Sequence, residues 1–165
     1  MNRNVLVLAT LTVIGLSLTL GGCKWAKEKM GIKETVSSPE AGTPEKLVYD
    51  VVQAGILSRQ GKVDEGWELY SKYLHPDEKR PARLRSWREN NFKSLYNKVH
   101  LFTTADDTKE TVKDSSPDYE IVRRDESDDG TRLKVYVFNE GNEESPTPCK
   151  MENTDEGWRI RDTCL

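Results

Sequence analysis

The spacing of the apolar residues changes near Val99, and this change limits the folds that the chain can form. Between Pro44 and about Lys98, apolar residues recur every three or four positions, which is typical of amphipathic helices. Beyond Val99 they alternate with polar residues between turn signals, which is typical of antiparallel strands. A helical part followed by hairpins predicts an α+β domain whose helices pack on one face of a sheet.

Three helices are predicted in the first part. Thr43-Pro44 supplies an N-cap and a first-turn proline, and Gly61 supplies a stop, for the first of them. Its apolar stripe consists of Leu47, Val48, Val51, Val52 and Ile56. The segments KVDEGWELYSKYLHPD and PARLRSWRENNFKSLYNK predict the second and third helices. Because a short link joins the first two, we expect them to form an antiparallel pair.

About five strands are predicted in the second part. The segment VHLFT, from Val99, predicts a short strand, and a polar loop follows over 104–118. Asp129-Gly130 and Glu156-Gly157 each lie between β-rich runs, a pattern that favours hairpins.

Residues 1–22 have the pattern of an export signal. Arg3 precedes sixteen mostly apolar residues, Val5 to Leu20, and the small residues Gly21 and Gly22 follow. Sixteen residues are short for a membrane span, which takes about 20. A short transmembrane anchor is the alternative interpretation.

The sequence Leu20-Gly21-Gly22-Cys23 resembles the lipobox of bacterial lipoproteins. The resemblance implies that Cys23 carries a thioether-linked diacylglyceryl group and becomes the first residue of the mature chain. Buried acyl chains would then hold the protein on a membrane. Lys24 follows the cysteine, where aspartate often signals inner-membrane retention, so an outer-membrane location is favoured. An ordinary signal peptide with an incidental cysteine is the alternative.

Assigning Cys23 to lipid leaves Cys149 and Cys164, for which we expect a structural disulfide in an oxidising compartment. If the two lie opposite each other, the hairpin turn is Glu156-Gly157, and Asp162 lies beside Met151 on the inner face. A register shift of one residue would place the two cysteines on opposite faces of the hairpin. A bulged three-residue turn is the alternative, and it would need a second bulge to keep the bridge.

The charge balance gives no support for nucleic-acid binding. Residues 23–165 hold 24 basic and 28 acidic side chains, a net charge of −4. Residues 23–43 mix charges with Ser, Pro and Gly and predict a flexible tether before a domain at 44–165. Within 79–88 lie five basic residues and no acid, whereas 106–129 hold ten acids and four bases. The basic run is interpreted either as a solvated helix face or as a contact for lipid phosphates, cell-wall polymer or an acidic partner.

The helix pair with its RQGKVDEGWELYSKYLHPD link, the third helix and the hairpins ending on Gly157-Trp158-Arg159-Ile160 resemble the NTF2-like superfamily, especially its small bacterial lipoproteins. The resemblance covers about 44–165 and implies a curved sheet wrapped around three helices as a cone. The short strands that this family usually has between the second and third helices are not evident here. A cystatin-like fold is the nearest alternative, although three helices fit it poorly.

No catalytic, cofactor or metal motif is evident in the sequence. The side chains best placed to line a pocket in the predicted cone are Tyr49, Asp50, Tyr70 and Asp162. An inward carboxylate at Asp162 would need a partner or a raised pKa; a solvent-facing edge position is the alternative. The sequence therefore predicts a non-enzymatic envelope lipoprotein that binds a partner protein or small ligand. The alternatives are an NTF2-like isomerase or dehydratase and an immunity-type protective lipoprotein.

Overall fold

The computed structural model describes residues 33–105, 107–142 and 144–165. The predictions for the signal peptide 1–22 and for Cys23 lie outside these residues. In the described part the α+β prediction is confirmed, with three helices and a five-stranded antiparallel sheet.

The first two helices are α1 (Pro44–Arg59) and α2 (Val63–Ser71). A 3₁₀ turn (Pro76–Glu78) then leads to the third helix. The third helix has three consecutive segments: α3 (Pro81–Ser86), a π-helical turn (Trp87–Phe92) and α4 (Lys93–Lys98). Thr43 caps α1 as predicted, since its hydroxyl accepts the Lys46 N–H at 3.2 Å.

The sheet follows chain order throughout. Its strands are β1 (Glu34–Val36), β2 (Tyr119–Glu126), β3 (Arg132–Val137), β4 (Thr147–Thr154) and β5 (Gly157–Cys164), and all neighbours are antiparallel. Alternate residues on one face are buried, among them Ile121, Val135 and Ile160. The free edge of β5 is partly paired, because the Ile160 N–H donates to the Tyr73 carbonyl at 2.7 Å.

Helix α1 is the centre of the core, and two glycines let its neighbours approach closely. A Cβ at Gly66 of α2 would come within 2.5 Å of the Ala54 carbonyl oxygen in α1. A Cβ at Gly55 of α1 would come within 2.7 Å of Val99, just beyond α4. Both distances are too short for a real side chain, so glycine at these positions sets how near the helices lie.

The prediction of a flexible tether as far as residue 43 is wrong for residues 34–36, which form β1 at the edge of the sheet. Val36 is buried, and Arg124 of β2 joins Glu34 of β1 to Glu45 of α1 at 2.6 and 3.0 Å. A three-residue strand is too short to produce a visible alternation, and its partner β2 lies far along the chain.

The prediction of a strand at VHLFT is also wrong, because Val99–Leu101 forms a 3₁₀ turn that continues the third helix. Val99 and Phe102 are buried three residues apart, on the face that the third helix turns to the core. A short apolar run fits a strand or a helix end equally well, and here helix packing decides.

The structure pairs Cys149 with Cys164 as a disulfide, but it places the rest of that hairpin two residues away from the predicted register. Thr154 faces Gly157, so the turn is Asp155-Glu156 and not Glu156-Gly157. Gly157, with φ at +92°, takes the left-handed position that follows such a turn. Three residues of β5, 161–163, then oppose Lys150 alone, and this bulge restores the cysteine pair.

The disulfide should contribute strongly to stability, since it closes a loop with a sequence separation of 15. A loop of that length corresponds to about 3 kcal/mol in the chain-entropy account. We expect Cys149→Ala/Cys164→Ala to lower the free energy of unfolding by about 2–4 kcal/mol in urea titrations. Reductant should lower the wild-type midpoint and leave that of the double variant unchanged. An unchanged wild-type midpoint would contradict the pairing.

Candidate functional site

Asp50, a predicted pocket residue, lies on α1, where a hydroxyl and two lysines surround its buried carboxylate. It is 7% exposed and accepts hydrogen bonds from the Tyr73 hydroxyl and from Lys46 Nζ, the latter at 2.5 Å. Lys72 Nζ lies 3.6 Å from the same carboxylate. Burial, with the hydrogen bond to Asp50, raises the pKa of Tyr73. Tyr49 is adjacent, with Lys46 Nζ 5.0 Å from its ring centroid.

Tyr70, another predicted pocket residue, lies inside an aromatic cluster. Its ring centroid is 5.4 Å from that of Phe92, 6.0 Å from that of Trp67 and 6.3 Å from that of Trp87. The side chain is fully buried, and its hydroxyl has no hydrogen-bond partner among the described residues. Burial raises the pKa of this hydroxyl.

Asp162 does not face inward beside Met151 but takes the solvent-facing position that was its alternative. The β5 bulge turns it outward, where its side chain is 66% exposed and accepts from Lys150 Nζ at 2.5 Å. Of the four predicted pocket residues, Tyr49 and Asp50 therefore share Lys46, whereas Tyr70 and Asp162 each lie in different surroundings. The space between helices and sheet is filled by buried side chains such as Val51, Tyr119 and Ile160.

A smaller depression of about 210 Å³ between the third helix and β5 is lined by Asp162 and Glu78, among others. Glu78 is 9% exposed, accepts from the Trp87 indole N–H at 2.9 Å, and accepts twice from Arg83 at 3.0 and 3.1 Å. Burial opposes ionisation of Glu78, but these hydrogen bonds outweigh it, so its pKa is lowered. These contacts give Glu78 a structural role in anchoring the start of the third helix.

A concave surface of about 770 Å³ lies between α2 and the third helix, and we call it the helical groove. Its apolar lining consists of Val63, Trp67, Leu84, Phe92 and Tyr96. Val63 is 43% exposed, which sets it apart from the other large apolar side chains that the structure describes. The volume lies in the range of about 300–1,000 Å³ that is typical of ligand sites.

The charged lining of the helical groove is mainly basic. Arg85, Arg88 and Lys93 contribute three cations, and Glu89 is the one acid in the lining. Arg88 forms an ion pair with Asp64 at 2.5 Å, and its guanidinium lies over the Trp67 ring, 5.9 Å from the ring centroid. Within the described part of the chain, Arg85 and Lys93 form no ion pair.

The π-helical turn explains why the sequence did not reveal this site. Trp87 and Phe92 are five residues apart, yet both are buried, because the extra residue in the turn brings them to one side. The regular helix that the sequence predicts here would place residues five apart on different faces. The basic run was visible in the sequence, but Lys93 lies outside it and the contribution of α2 depends on packing.

Groups of three or more side chains with metal-ligating chemistry are absent from the described ranges. Nor does any helix there combine the length and apolar character needed to cross a membrane. Comparisons with protein-family models, curated proteins and solved structures give no match. The resemblances to lipoproteins and to the NTF2-like superfamily therefore stay predictions.

Glu78 should make stability depend on acidic pH. Since its folded-state pKa lies below the ordinary value of 4.5, the ionised carboxylate contributes above that pH, and the contribution is lost as the pH falls through the folded-state value. At pH 7 we expect Glu78→Gln to lower the free energy of unfolding by about 1–3 kcal/mol, and the difference from wild type should shrink below about pH 4. Urea titrations monitored by tryptophan fluorescence, at pH 7 and below about pH 4, measure the free energy of unfolding of the variant and of the wild type. The exposed Glu89→Gln is the matched control, and an equal loss there would contradict the assignment.

Tyr70→Phe should keep or increase stability. The substitution removes a buried hydroxyl that has no partner among the described residues, and such a group costs about 1–3 kcal/mol. Thermal unfolding at constant pH measures the change. A loss of more than about 1 kcal/mol would show that the hydroxyl is hydrogen-bonded in solution.

Proposed function

We propose that this protein is a non-enzymatic envelope lipoprotein, anchored through lipid on Cys23, that binds a partner protein or small ligand in the helical groove. The observation that carries the binding role is the groove itself. Apolar lining residues, among them the exposed Val63, and two cations without ion-pair partners among the described residues border one concave surface. Concave apolar surfaces with a few convergent polar groups are the usual place for binding.

The anchoring role is supported by the lipobox-like sequence and by the position of β1. Only residues 24–32 separate Cys23 from the first described residue, Lys33. Ten residue steps span at most about 35 Å when fully extended. A lipid on Cys23 would therefore hold the domain close to the membrane surface, and the groove would meet partners of the same envelope.

Mass spectrometry of the native protein tests the anchor. We expect a mature chain that begins at an acylated Cys23 and fractionates with membranes. Cys23→Ser is the control, and it should stay unprocessed or lose the acyl mass. A free thiol at Cys23 in the native protein, or a mature chain that begins elsewhere, would contradict the proposal.

A further inference from the structure

We propose that the occupant of the helical groove is an acidic amphipathic helix of a partner protein. The inference deepens the proposed function, because it rests on the groove as the binding surface and names the chemistry of what binds there. It does not depend on lipidation of Cys23.

The protein already contains one example of this kind of packing. Helix α2 has three acidic residues and no basic one, and it packs on the third helix through the rings of Trp67 and Phe92, whose centroids are 5.5 Å apart. Its Asp64 accepts from Arg88 at 2.5 Å beside that contact. An acidic amphipathic helix is thus the kind of element that this face of the third helix binds within the chain.

The cations of the groove are spread along its length. Lining residues of the third helix run from Leu84 to Tyr96, which corresponds to about 18 Å, or a little over three turns. Arg85 lies near one end and Lys93 near the other, eight residues apart. A single-headed anionic amphiphile has its charge at one end only, whereas a helix can present carboxylates at both. The spacing therefore favours a helix in the groove.

Two segments of this chain are poor candidates for the occupant. Residues 24–32 would bring further positive charge, since they hold three lysines and one glutamate. The acidic segment 125–129, Asp-Glu-Ser-Asp-Asp, which spans the end of β2 and the turn after it, contains no apolar side chain to contact the apolar lining of the groove. A separate protein that combines acidic and apolar residues at helical spacing matches both the floor and the rim.

The π-helical turn gives independent support. It lets both Trp87 and Phe92 lie near the buried Tyr70, while Arg88 and Glu89 between them line the groove. Single π-helical turns occur frequently at functional sites. The irregular part of the third helix therefore coincides with the middle of the proposed binding surface.

The test uses the full chain in phosphatidylcholine nanodiscs and a displayed library of 15-residue peptides with helical propensity. We expect enrichment of peptides with apolar residues at three- and four-residue spacing and a net negative charge. Fluorescence anisotropy of an enriched peptide should show affinity that falls as salt is raised.

The double variant Arg85→Glu/Lys93→Glu should weaken binding of that peptide about tenfold or more, because the charge at each end of the groove then repels the peptide's carboxylates. Lys79→Glu/Lys98→Glu is the matched control, exposed on the same helix region but outside the groove, and should change binding less than about twofold.

Thermal unfolding of both double variants checks that each is folded. The proposal is overturned by enrichment of neutral or basic peptides, by no enrichment, by equal weakening in the two variants, or by stoichiometric displacement of the peptide by sodium laurate. If neutral or basic peptides are enriched and lose affinity for Arg85→Glu/Lys93→Glu, the acidic helix is wrong as the occupant. The groove would then still stand as the binding surface. Enriched peptides that bind both variants equally would also remove the groove from the proposed function.

Discussion

Close packing around α1 is the constraint on which the rest of the structure depends. Leu47, Val48, Val51 and Val52 are buried almost completely, and so are residues on the other sides of the same helix. Gly66 brings α2 against it and Gly55 receives the end of the third helix, at separations that no side chain would permit. The sheet is joined to the start of α1 through the Tyr119 hydroxyl, which donates to the Glu45 carbonyl at 3.0 Å. The positions of the other helices and the sheet follow from these contacts.

The helical groove is a consequence of that arrangement. Because α2 and the third helix are both fixed against α1, they meet through Trp67 and the buried Phe92 and leave apolar surface beside this contact. That surface includes Val63, whose exposure brings no stability to the isolated chain. Apolar surface is costly to leave in water, and Arg85 and Lys93 have no ion-pair partner among the described residues, so a partner of matching chemistry would cover the first and pair with the second.

The sequence was a good guide where a pattern is local. Thr43-Pro44, Gly61 and the stripe of α1 are each determined by neighbours within a few residues, and the structure agrees with them. It was a poor guide to β1, whose partner lies more than 80 residues away, and to the third helix, where one π-helical turn shifts the face. The cysteine pair was predicted, but the position of Asp162 was not, since a bulge of β5 absorbs two residues between the turn and the bridge. The groove joins two helices and could not be read from either one alone.

The most direct test of the groove is NMR of the tryptophan indole N–H groups during titration with an acidic amphipathic peptide. Trp67 lines the groove, whereas Trp158 lies on β5, outside the groove lining. We predict that the Trp67 signal shifts in proportion to occupancy, while the Trp158 signal stays in place. Peptide binding that leaves Trp67 unchanged would contradict the assignment of the helical groove as the binding surface.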